Sequence, residues 1–219
     1  RSGERKTPAM AIAALVQDAL FQVRSRLIQA LENEEIVPAG TKSAETERAL
    51  RKVVADLSGL KGKLLDNLIH NMRAAARGGG SAGISRVNQI LSGTGAGRVP
   101  TPKLSEALMN ALLKRAEMIV DGVIDGTVEQ FGKELGKEFS VGKEIERLKT
   151  KHGYSRSRAE VVARTESANA YHEGQIDSWK EVGNVAEKHF LKAPGACEFC
   201  DAVEKKYGPN AKSIPIDQP

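Results

Sequence analysis

The stretch SRSRAEVVARTESANAYHEGQIDSWKEV, Ser155 to Val182, decides how the chain is read. Ser157 and Glu160 have the S-x-x-E spacing of a capping box, in which each side chain satisfies a free backbone N–H of a helix's first turn. Gly183 stands directly after Val182, the position where a left-handed residue closes a helix. The segment therefore predicts one long helix, and Val161, Ala168, Tyr171 and Trp179 recur at spacings that predict one buried face. Its centre is unusual for a plain core helix, because Ala163-Arg164-Thr165-Glu166 sets a guanidinium, a hydroxyl and a carboxylate on successive positions. Arg164 and Glu166 are two apart and cannot face each other on a helix, so each needs a partner elsewhere. A buried, paired Arg164 would pin the helix to the strand and loop that follow, and a structural role outweighs a catalytic one for Arg164, Thr165 and Glu166. Tyr171 and Trp179 read as core anchors of the same domain.

Working outward, Val185 to Leu191 and Ile214-Pro215-Ile216 are candidate strands, and the proline confines the second to a sheet edge. Between them lies Cys197-Glu198-Phe199-Cys200, a single Cys-x-x-Cys pair. A tetrahedral structural zinc site needs four ligands. His189 is the best third candidate and His172, on the long helix, a fourth. Reduced structural thiols, a disulfide and a redox pair are the alternatives, the last of which calls for a βαβ context that the sequence does not suggest.

The ordered combination of ARTE (163–166), an alanine- and aromatic-containing helix, the lone Trp179, HFLKA (189–193) and CEFC (197–200) resembles the Mu F-like family of phage head-morphogenesis, or minor capsid, proteins. The resemblance covers roughly Met118 to Ile216. Where the family carries an acidic residue ahead of the first cysteine, this chain has Ala193-Pro194-Gly195-Ala196. The resemblance implies a structural virion protein without enzymatic activity, assembled in the host cytoplasm and located in the phage head near the portal. Its implied partners are the portal protein and the major capsid or scaffolding protein, possible contacts being packaged DNA and a second copy of the chain. The family also implies a further reading, as the Mu F-like part of a larger toxin or effector enzyme.

N-terminal to this region the pattern is helical. Thr7-Pro8 is an N-cap followed by a proline at the first helical position, and Ile12, Leu15, Val16, Ala19, Leu20, Val23, Leu27, Ala30 and Leu31 form an apolar stripe ending near Asn33. Val37 to Gly40 reads as a turn. A second helix is predicted from Ser43 to Arg77, with Ser58-Gly59 as a kink. The two stripes can pack against each other as an antiparallel hairpin or against neighbouring subunits, and their length predicts that at least one of the two helices packs on another protein, the portal or a second copy of the chain. Gly78 to Gly83 and Ser92 to Pro102 read as flexible linkers. From Lys103 a long helix resumes, carrying the glycine pairs Gly122/Gly126 and Gly132/Gly136, which either admit a neighbouring backbone or bend the helix. A short helix follows over Val141 to Lys151, closed at His152-Gly153.

The predicted fold is thus mainly α, with long N-terminal amphipathic helices joined by Gly-rich linkers to a small α+β C-terminal domain. The regions are 1–77, 78–102 and 103–219. Aromatic residues make up 4% of the 219 residues, in keeping with helix packing rather than a β-sandwich. No apolar run approaches the roughly 20 residues of a membrane span. The net charge of +5 permits nucleic-acid contact, and Arg73, Arg77, Arg86 and Arg98 around the glycine-rich segments are the candidate residues for it. One cysteine pair does not make a secreted disulfide framework. The two ends of the chain read as those of a piece of a longer polypeptide.

Overall fold

The computed structural model describes residues 7–33, 35–36, 44–135, 140–150, 156–183, 185–189 and 198–216. The predicted turn at 37–40, the helix end at 152–153, Gly136 and Cys197 lie outside these. Among the described residues seven helices run in the order α1 (Pro8–Glu32), α2 (Ala44–Asp56), α3 (Ser58–Leu91), α4 (Glu106–Glu134), α5 (Val141–Thr150), α6 (Arg156–Val182) and α7 (Glu198–Tyr207). The strands are β1 (Glu187–Lys188), between α6 and α7, and β2 (Ile214–Pro215), after α7. The fold is mainly helical with one small antiparallel sheet, in which Glu187 lies opposite Pro215 and Lys188 opposite Ile214. No helix among the described residues is long and apolar enough to cross a membrane.

Two compact units divide the chain, the first comprising Arg1–Ala75 with Met109–Ala170 and the second Ala76–Leu108 with Tyr171–Pro219. In the first unit, α1 starts where Thr7 Oγ1 accepts the Met10 N–H at 3.3 Å, and it ends where the Asn33 N–H reaches the Gln29 carbonyl at 2.9 Å. It packs against α2 and α5. Leu20 and Leu27 of its stripe are buried inside the chain, as are Leu68 and Met72 of α3, Leu112 and Phe131 of α4, and Leu148 of α5. The expectation that such a stripe must find another protein is therefore corrected: the chain's own helices cover it. A stripe records that a face is buried, not what buries it. Each fully buried Leu or Phe contributes about 1.5–3 kcal/mol.

The helix predicted from Ser43 to Arg77 is interrupted at Leu57, beside the predicted kink; Leu57 donates to the Val54 carbonyl at 3.1 Å and is itself buried. Arg26 of α1 bridges Glu35 at 2.9 Å and Asp56 at 2.5 Å, which ties the segment just after α1 and the last residue of α2 to one guanidinium. Burial works against the Arg26 charge, but the hydrogen bonds to Asp56 and Glu35 outweigh it and raise its pKa. Lys61 of α3 holds Asp125 of α4 at 2.6 Å.

In the second unit the glycine run is not a break. Gly78 to Gly83 are helical residues of α3, and Gly79, Gly80 and Gly83 are buried. A Cβ on Gly79 would run into the Tyr171 carbonyl group, with its carbon at 2.7 Å, and one on Gly174 would meet the Ala76 carbonyl carbon at 2.6 Å. α3 and α6 thus touch backbone to backbone. Glycine costs about 1 kcal/mol against alanine inside a helix, and here close packing offsets that cost. The segment after α3 is also fastened: the Asn88 side chain donates to the Val99 carbonyl at 2.8 Å and accepts the Val99 N–H at 2.7 Å. Ser105 then caps α4, accepting the Leu108 N–H at 3.1 Å, while Asp177 of α6 accepts the Ser105 N–H at 2.8 Å and the Ser105 hydroxyl. A linker over 78–102 is accordingly replaced by a helix and a latched loop.

Of the α4 glycines, Gly132 seats a side chain: a Cβ there would lie 2.5 Å from Leu50 Cδ1. A Cβ on Gly122 would meet nothing within 4 Å, and one on Gly126 only the helix's own Asp121 carbonyl at 3.8 Å. Among the described residues no other backbone comes within that distance of the Gly122/Gly126 pair, so it admits no neighbouring backbone, and the helix is not broken there.

Candidate functional site: the outward face of α6

α6 begins at Arg156, one residue before the serine read as its cap, so Ser157 lies within the first turn. It ends at Gly183, whose φ of 69° is left-handed and whose N–H reaches the Trp179 carbonyl at 3.1 Å. The residues that α6 buries are Ala159, Ala163, Ala170, Gly174 and Ser178, an inward stripe of small side chains at spacings of four and seven. The predicted buried face is corrected accordingly. Val161 is 62% exposed, Tyr171 and Ala168 are exposed, and Trp179 is half-buried. Close approach of a neighbouring backbone favours small side chains at the contact, so bulk is turned outward. Trp179 lies against Gly83, where a Cβ would come within 2.9 Å of its Nε1.

Arg164 is not buried. Its side chain is 78% exposed and pairs with Glu160 one turn earlier on the same helix, at 3.7 Å. Thr165 is exposed beside it. Glu166 is the motif residue tied to another helix: its carboxylate, 17% exposed, faces Arg115 Nε of α4 at 3.5 Å. Arg164 and Glu166 thus do different jobs, the first a surface cation in a local pair, the second half of an interhelical ion pair. Arg164, Glu160 and Ala163 form one wall of a groove of about 450 Å³, whose other wall is Ala9, Met10, Ala13, Ala14 and Gln17 of α1. Met10 is 58% exposed.

The proposed metal ligands are not assembled among the described residues. Cys197 lies outside them, and Cys200 is half-buried in the first turn of α7. His189 Nδ1 lies 3.0 Å from the Gly208 carbonyl, which can only accept, so Nδ1 is the donor in that contact. His172 is exposed on α6, its ring edge-on to Tyr171 at 6.0 Å between centroids. No group of three or more His, Cys, Asp or Glu among the described residues is placed to hold a metal. Of the candidate nucleic-acid contacts, Arg73 is half-buried in the first unit, and Arg77, Arg86 and Arg98 are exposed in the second.

A larger groove of about 650 Å³ lies between α2 and α4, floored by Leu50, Val54, Val128 and Gly132. The pairs Glu47–Arg51 at 2.8 Å and Glu129–Lys133 at 2.6 Å border it. A hydrogen bond from the Lys133 ammonium holds the Glu129 carboxyl below the usual carboxylate range. Sequence reasoning missed this groove, as it missed α7. The signal for α7 was present, with Glu198 and Asp201 in its first turn and Lys205 and Lys206 in its last, matching the helix dipole. Comparison of the chain with protein-family models, curated proteins and solved structures gave no match.

Proposed function

We propose that the chain is a structural component of a phage head, a minor capsid or head-morphogenesis protein that acts by docking on the portal rather than by turnover. The observation that carries the reading is the orientation of the ARTE segment. The residues on which the resemblance rests are split, with Ala163 packed inward, Glu166 paired with Arg115, and Arg164 and Thr165 turned to solvent beside the exposed Val161. An exposed valine beside a guanidinium and a hydroxyl suits a contact with another protein, because large apolar side chains left in water gain free energy when covered.

The test is quantitation of the chain in purified heads, with the substitutions Val161→Ser and Arg164→Ala. Both side chains are exposed, so each variant is expected to change folding stability by no more than about 0.5 kcal/mol. Incorporation is expected to fall for the pair together. Wild-type chain missing from heads, or a double variant incorporated normally, overturns the reading.

A further inference from the structure

The chain carries no carboxylate side chain between Asp66 and Glu106; the charged residues in that interval are Arg73, Arg77, Arg86, Arg98 and Lys103. From Ala76 onward the segment belongs to the second unit, and it is helical to Leu91. Helical periodicity of 100° per residue then assigns its faces: Arg77, Ser81, Ser85 and Asn88 fall within an arc of about 80°. The inward glycines lie on another face, against α6. Arg86 is nine residues from Arg77 and so points about 180° away from it. Arg77, Ser81, Ser85 and Arg86 are all exposed.

The loop after α3 completes the track. The two hydrogen bonds between Asn88 and Val99 draw the exposed Arg98 to this face. There Ser85, Asn88, Ser92 and Arg98 help to line a groove of about 350 Å³. From Arg77 to Asn88 the helix rises about 17 Å. Guanidiniums therefore stand near the two ends of this stretch, serine hydroxyls lie between them, and no carboxylate of the segment is present to repel an anion.

We infer that this face binds the phosphate backbone of duplex DNA without reading sequence. Guanidiniums pair with phosphate oxygens in bidentate fashion, and serine hydroxyls donate to them. At a rise of about 3.4 Å per phosphate along one strand, the track is long enough for about five of them. Asn88 is a positioning residue: its amide is engaged with Val99 and its effect on DNA is through Arg98.

The experiment is fluorescence anisotropy of the full chain with a labelled duplex of mixed sequence, across a series of salt concentrations. Arg77→Ala and Arg98→Ala are each expected to reduce the slope of log K against log salt by about 0.9, the loss of one neutralised phosphate. Arg86→Ala removes the same charge from the opposite side of the helix and is expected to leave the slope unchanged. Equal slope changes for Arg86→Ala and Arg98→Ala would mean diffuse attraction by net charge and overturn the track. Wild-type chain with no salt-dependent binding overturns it as well. The inference does not rest on the portal reading: a chain that binds DNA in this pattern but is missing from heads keeps the first and loses the second.

Discussion

A methyl group placed on Gly79 or Gly174 tests the packing on which the second unit depends. In each case the obstacle is backbone. The Cβ at Gly79 would fall on the Tyr171 carbonyl group and that at Gly174 on the Ala76 carbonyl group, with carbonyl carbons at 2.7 and 2.6 Å. No rotamer change relieves such a clash, so the two helices must move apart. Overpacking where side chains can yield costs about 1–3 kcal/mol, and rigid backbone puts these sites at the upper end. Alanine recovers about 1 kcal/mol of helix propensity, which leaves a net loss of about 2 kcal/mol for each variant. For a chain of this size that corresponds to a drop in melting temperature of roughly 4–8 °C. Gly78 is the internal control, being helical and exposed with nothing within 4 Å of its would-be Cβ. Gly78→Ala is expected to raise stability by up to about 1 kcal/mol. Denaturant titration and calorimetry of the three variants supply the comparison. Gly79→Ala and Gly174→Ala as stable as Gly78→Ala would refute the backbone contact and restore the linker reading of the glycine run.

Two further predictions concern polar ties. Asn88→Ala removes both bonds to Val99 and is expected to destabilise the loop by about 1–3 kcal/mol, read as faster hydrogen exchange at the Val99 amide and faster proteolysis within 92–102; unchanged exchange would mean that the latch does not form. Hydrogen bonding to Arg26 holds the Glu35 carboxyl below the usual carboxylate range. A lowered carboxylate pKa contributes stability that is complete above the unfolded value and is lost as pH falls through the folded one. Stability is therefore expected to drop as the pH falls below the ordinary carboxylate range, and the Arg26→Met variant to lose part of that dependence. Identical acid limbs for the two proteins would remove Glu35 from the account.

Much of the fold was legible where a local chemical signal fixes an end. Thr7-Pro8 starts α1, Asn33 closes it, Gly183 closes α6, and the two predicted strands contain the residues that pair as β1 and β2. The misreadings share a cause. Apolar size stood in for burial, which holds where helices meet through interlocking side chains, as Leu64, Leu68 and Met72 show on α3. Farther along α3 the helices meet through backbone, and the rule inverts. Gly79, Gly80 and Gly83 on one side and Gly174 and Ser178 on the other are the inward residues, and Tyr171 is left exposed. A run of glycines is consistent with a solvated linker and with a close helix contact alike. What separates the two is a second helix carrying small residues at intervals of four, and Ala170, Gly174 and Ser178 are that second pattern.

The same inversion decides how the site is to be read. If Arg164 were buried, its place in the ARTE segment would be explained by folding alone, since a buried guanidinium requires a partner. At 78% exposure, in a local pair with Glu160 at 3.7 Å, it contributes little to stability. Inward packing in this segment is instead met by Ala163 at 1% exposure and the interhelical tie by Glu166 with Arg115. Val161, Arg164 and Thr165 are thereby released from packing, so any requirement for these side chains would have to come from what they touch outside the chain, as the proposed docking role supposes. That makes incorporation, rather than melting temperature, the measurement that separates a role for this face from none.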